Sequence, residues 1–116
     1  MKKLIIILII AFSLQSCYND NEEEIYGPVL CDTSEITFSA DVNPIINSSC
    51  ATTNCHASGG SGPGDFTQFD ELKAKVDDGS FVNRVIEQQT MPPGTPLTDC
   101  ELQTLQAWLD AGATNN

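Results

Sequence analysis

Cations are scarce in this sequence: 5 Lys and Arg stand against 16 Asp and Glu in 116 residues, a formal net charge of −11 at pH 7. A chain so poor in basic side chains lacks the phosphate-neutralising surface that nucleic acid requires, so nucleic acid is excluded as a partner. The same acidity repels anionic lipid headgroups. Histidine occurs once, at His56, which leaves too few imidazoles for a blue-copper centre built on two His. No apolar run is long enough to cross a bilayer of about 30 Å as a helix; the stretch Leu4 to Phe12 has nine residues. Sustained alternation of apolar and polar residues is missing too. Beyond the brief Glu35-Ile36-Thr37-Phe38 nothing reads as a strand, which argues against a sheet-based fold. There are no internal repeats, and the length suits one domain, not two independent cores.

Cysteine, by contrast, is abundant for so short a chain: Cys17, Cys31, Cys50, Cys55 and Cys100. The count is odd, so pairing alone leaves one over. The N-terminus supplies a use for it. Lys2-Lys3 followed by the apolar run has the form of a secretory signal, and Leu14-Gln15-Ser16-Cys17 resembles the lipobox of bacterial lipoproteins, in which the Cys is lipidated and becomes the mature first residue. Residues 1–16 are accordingly expected to be a signal peptide and Cys17 a lipidation site. The mature charge is then 3 − 16 = −13. Tyr18 to Pro28 is polar and self-repelling, so residues 17–34 are read as the lipidated Cys and an acidic flexible tether. An acidic run after such a Cys also resembles the surface-export signal of Bacteroidetes lipoproteins. The expected location is the cell envelope of a Gram-negative bacterium, with membrane contact through the lipid alone. That compartment is oxidising, so disulfides are permitted.

Residues 35–116 carry the folded part, which reads as all-α with about four short helices. A first helix is expected to open near Asp41 as N-cap, with Pro44 in its first turn and Val42, Ile45 and Ile46 inward, ending before Cys50. A second should run from Thr67 to Val76 and stop at Asp77-Asp78-Gly79, and a third from Ser80 to Glu87. The last is the clearest. Thr98 and Glu101 form a capping box, Leu102, Leu105, Trp108 and Leu109 form an apolar stripe, and Gly112 sits at the C-terminal end. Ala57 to Gly64 reads as a flexible loop, and both it and the loop from Gln88 to Leu97 look poorly anchored. So slight a core calls for a cofactor or a covalent staple.

The chemistry lies in Cys50-Ala51-Thr52-Thr53-Asn54-Cys55-His56, which places two thiols and the lone imidazole within seven residues. In c-type haem attachment two thiols add to porphyrin vinyl groups, and the His beside the second Cys is carried under the iron. The usual spacing is C-x-x-C-H; here it is C-x4-C-H, two residues longer, with the Cys-His adjacency kept. Downstream, Met91-Pro92-Pro93 holds the one methionine besides Met1, a soft thioether suited to the sixth iron position. The prolines remove two backbone donors and stiffen the segment as an extended strap. The separation 91 − 56 = 35 residues is enough for the chain to round a haem edge. Two other readings of the same residues stand beside this one. Cys50 and Cys55 could form a local disulfide with His56 a bystander and Met91 merely buried in a turn; a zinc site would need a fourth ligand beyond Cys50, Cys55 and His56.

Asp41-Val42-Asn43-Pro44-Ile45-Ile46, then Cys50 to His56, then Met91-Pro92-Pro93, then Leu105 to Ala113 together resemble the small monohaem cytochrome c domains of exported bacterial, Bacteroidetes-type lipoproteins, over roughly Phe38 to Ala113. The resemblance implies a class I cytochrome c-like fold around one covalent haem c, with Cys50 and Cys55 as thioether links and His56 and Met91 as axial ligands. The variant spacing occurs within that group. Cys31 and Cys100 remain, and in an oxidising compartment a bridge between them is expected over two free thiols. The function expected is single-electron transfer, not enzymatic turnover, to a redox partner with a basic docking patch. The alternative is a haem-free, disulfide-stabilised surface lipoprotein acting as a binding or assembly module.

Overall fold

A computed structural model describes residues 31–116. The expected signal peptide, Cys17 and the tether up to residue 30 lie outside the described residues. Among those described, the chain is all-α with no strand, and no helix is long and apolar enough to cross a membrane.

The first helical run, α1, is continuous through Phe38–Val42, Asn43–Ile45 and Ile46–Cys50. Its outer thirds are π-helical: Val42 N–H donates to the Thr37 carbonyl at 3.3 Å and Ala51 N–H to that of Ile46 at 2.7 Å, both five residues back. The helix opens earlier than the expected Asp41. Thr37 is the N-cap, its hydroxyl accepting from Ala40 N–H at 3.2 Å. Asp41 serves that cap from inside the first turn, where its carboxylate accepts the Thr37 N–H at 2.8 Å and hydroxyl at 3.1 Å. Pro44 sits near the start of the central turn.

Helix α2 spans Phe69–Asp77, beginning two residues after the expected Thr67. Asp65 explains the delay, because its carboxylate accepts from the Thr67 N–H and hydroxyl and holds that residue in a turn. Helix α3, Val82–Glu87, is again π-helical, with Gln88 N–H donating to the Asn83 carbonyl at 2.9 Å. Helix α4, Asp99–Asp110, starts on the anticipated capping box between Thr98 and Glu101. It ends through Gly112 (φ 94°) and Ala113 (φ 52°), with Ala113 N–H donating to the Trp108 carbonyl at 2.9 Å.

Val42 and Ile46 of α1, Leu72 of α2 and Leu105 and Trp108 of α4 are fully buried and form the centre of the core. Aromatic contacts tie three helices together: the Phe38 ring meets Phe69 edge-on at 4.8 Å between centroids and Trp108 at 5.8 Å. The indole N–H of Trp108 donates to the Thr114 carbonyl at 2.9 Å, and Asn116 accepts from the Phe38 and Ser39 N–H groups. The tail thereby satisfies donors that the start of α1 leaves open. Cys31 is joined to Cys100 in the first turn of α4, with 5.5 Å between Cα atoms. Both ends of the described chain are thus fastened beside α1 and α4.

Candidate functional site

Helix α1 delivers Cys50 as its last residue, buried at 7% exposure. The two residues by which this motif exceeds C-x-x-C-H are taken up in a turn. Cys55 N–H donates to the Thr52 carbonyl at 2.9 Å, and His56 N–H then reaches back to the Cys50 carbonyl at 3.1 Å. The longer spacing therefore still returns Cys55 and His56 to the end of α1. Cys50 and Cys55 are free thiols, not bridged to each other.

The glycine-rich segment is better anchored than its composition implies. Gly62 N–H donates to the Cys55 carbonyl at 2.9 Å, Gly60 N–H to that of Ala57 at 2.8 Å, and the Ser61 hydroxyl to that of Asn54 at 3.0 Å. Close approach explains why glycine is needed: a Cβ on Gly62 would stand 2.7 Å from Cε1 and Nδ1 of His56, and one on Gly60 would collide with the Cys55 carbonyl. On its other side the imidazole lies flat on Phe66, with ring centroids 4.1 Å apart and planes 2° from parallel. Phe66 N–H donates to the His56 carbonyl at 2.7 Å, so backbone and ring hold the same pair. Nδ1 of His56 is buried without a hydrogen-bond partner.

Met91 approaches from the far side of the sequence. Thr90 and Met91 both donate their N–H groups to the Arg84 carbonyl, at 2.9 and 3.2 Å, so α3 anchors the segment. Gln89 makes this reversal possible by adopting a left-handed φ of 49°. The Met91–Pro92 peptide is cis.

These residues line one cavity of about 560 Å³: Cys50, Cys55, His56 and Met91 share it with Pro92 and Pro93. Phe66, Phe81 and Val85 supply further apolar wall. The volume lies within the range of about 300–1,000 Å³ usual for cofactor pockets. Two thiols, one imidazole, one thioether and an apolar wall form a donor set that fits a c-type haem. Among the described residues no group of three or more His, Cys, Asp or Glu side chains is placed to hold a metal ion by itself. A scan against protein-family models and searches of curated proteins and solved structures give no match.

Phe66, Phe81, Lys75 and Arg84 also line the cavity, and none of them was read from the sequence as a site residue. Phe81 was legible only as one apolar position of a helix. Phe66 carried no periodic signal at all, although its place between a glycine-rich loop and a helix start marks it as a packing residue outside any stripe.

The Cys50 thiol is pushed up to about 11, chiefly by burial and then by the neighbouring Cys55 and Glu101. A thiol is nucleophilic only as thiolate. In haem-free protein at pH 8, Cys50 is therefore expected to be alkylated by iodoacetamide far more slowly than Cys55, which is only half-buried. Mass spectrometry of the timed reaction reads the order; equal rates at the two positions would contradict the burial described.

Proposed function

We propose that this protein is an envelope-anchored electron carrier of the cytochrome c-like class, holding one covalent haem c. The observation that carries the reading is that both free thiols, the single His and Met91 line one apolar cavity, although 91 − 50 = 41 positions separate the first from the last. In this reading Cys50 and Cys55 would hold the group by thioether links and His56 and Met91 would ligate its iron. Bound there, the haem would supply a one-electron iron couple. Phe66 and Gly62 fix the plane of the imidazole, and the bonds from Thr90 and Met91 to Arg84 fix the height of the thioether. With His56 and Met91 both ligating the iron, oxygen or peroxide activation would lack an open site, which favours a carrier over an enzyme. The acidic exterior complements a basic patch on a redox partner, and lipid on Cys17 would tether the domain through its acidic linker.

The deciding experiment is haem staining after denaturing electrophoresis under reduction, on full-length protein produced with competent c-haem maturation. Stain that stays with the chain, and is lost in the Cys50→Ala/Cys55→Ala double variant, is the expected result. Unstained wild-type protein would sink the reading and leave the haem-free, disulfide-stabilised binding module.

A further inference from the structure

After position 16 the chain contains three basic residues, Lys73, Lys75 and Arg84. Two of them, Lys75 and Arg84, line the cavity; of the described Asp and Glu residues only Asp78 does. A chain with a mature charge of 3 − 16 = −13 thus places two of its three cations on the lining of this apolar pocket. The geometry explains how. Lys75 lies near the end of α2 and Arg84 within α3, brought round by the turn at Gly79 with its φ of 79°.

The two cations are not equally engaged. The Lys75 ammonium pairs with the Asp78 carboxylate at 3.3 Å, with Lys75 half-buried and Asp78 exposed, a solvent-screened contact of little energy. Asp78 is held in the turn by the Ser80 N–H and hydroxyl, which keep its carboxyl below the usual carboxylate range. Arg84 is exposed. Its carbonyl serves the Met91 segment, while its guanidinium has no ion-pair or hydrogen-bond partner among the described residues. The cavity edge therefore carries one loosely paired ammonium and one unengaged guanidinium fork. An apolar pocket with such an edge suits a flat apolar molecule bearing carboxylates along one side. Guanidinium matches a carboxylate with two parallel N–H···O bonds, and a lysine adds a point charge.

We infer that Lys75 and Arg84 form a carboxylate-binding edge of the cavity that takes the propionate groups of the haem. This rests on the function proposed above. Without these cations, two further carboxylates would face an exterior that is already strongly anionic, where like charges repel. Arg84 then has two duties from one residue: its carbonyl anchors the strap bearing Met91, and its side chain meets the opposite charge of the cofactor.

The test compares full-length, haem-loaded protein with Arg84→Gln, Lys75→Gln and the control Lys73→Gln, whose ammonium pairs with Asp77 away from the cavity. Haem staining of each sample comes first. Resonance Raman spectra then read the propionate bending band, which moves with hydrogen bonding to the carboxylates, and voltammetry reads the midpoint potential. Arg84→Gln and Lys75→Gln are expected to keep covalent haem, shift the propionate band and lower the potential, because loss of a positive charge beside the cofactor favours its ferric state. Lys73→Gln should leave the band in place. Stained variants whose propionate band coincides with wild type overturn the carboxylate site while leaving the haem reading intact. Wild-type protein without covalent haem removes both together.

Discussion

Loss of the Cys31–Cys100 disulfide is expected to cost the folded domain on the order of 4 kcal/mol, as the chain-entropy relation gives for a loop of about 70 residues. The bridge spans 69 positions in sequence, and its Cα separation of 5.5 Å is ordinary for a disulfide. Small domains have total stabilities of about 5–15 kcal/mol, so this one link is a large share. Its position adds to the effect. It fastens residue 31 to the first turn of α4, the helix that contributes Leu105 and Trp108 to the core. A Cys31→Ser/Cys100→Ser double variant should melt about 15–30 °C below wild type, given the 4–8 °C per kcal/mol usual for domains of this size. Thermal unfolding followed by circular dichroism makes the measurement. A difference of only a few degrees would mean that the rest of the domain holds the ends without the bridge.

The second large effect is expected at Met91. Replacing it by Ala removes the thioether from the cavity and leaves the backbone anchor to Arg84 untouched, since that bond is made by the Met91 N–H. The fold is therefore expected to be retained while the ligand that the proposed haem reading assigns to Met91 is lost. In haem-loaded protein Met91→Ala should abolish the weak iron–sulfur charge-transfer absorption of the oxidised form. The midpoint potential should fall by a sizeable part of the roughly 0.8 V range over which axial ligands tune haem proteins. The direction follows from softness: a neutral thioether favours iron(II), and its loss favours the ferric state. Absorption spectra and voltammetry on the same sample provide both readings. A variant with the wild-type charge-transfer band would show that another group ligates the iron and that Met91 is only part of the wall.

Helix α4 shows why some of this molecule could be read directly. Its start depends on Thr98 and Glu101, three positions apart, and its buried face on residues spaced three and four apart. Such interactions are local, so residue identity and spacing suffice to state them. Helix α1 shows the first limit. Asp41 was a sound cap candidate by type, yet Thr37 took the cap and Asp41 bonded back to it. Two capping side chains were in range, and the helix starts where Phe38 can pack on Phe69 and Trp108. The loop from Ala57 to Gly64 shows the second. Its composition reads as flexible, but its N–H groups find the carbonyls of the Cys50–His56 turn, partners that no local pattern announces.

By itself the sequence determined the inventory and the local order: an acidic chain with one histidine, five cysteines and a paired-thiol motif beside that histidine, in short capped helices. These follow from composition and from interactions within a turn of helix. Only the tertiary structure decided that Cys50, Cys55, His56 and Met91 share one cavity, that Phe66 lies on the imidazole and that Lys75 and Arg84 line that same cavity. The physical reason is that hydrophobic burial is non-directional and acts over area. It brings distant segments together according to how their faces pack, and residue spacing along the chain carries no record of that choice.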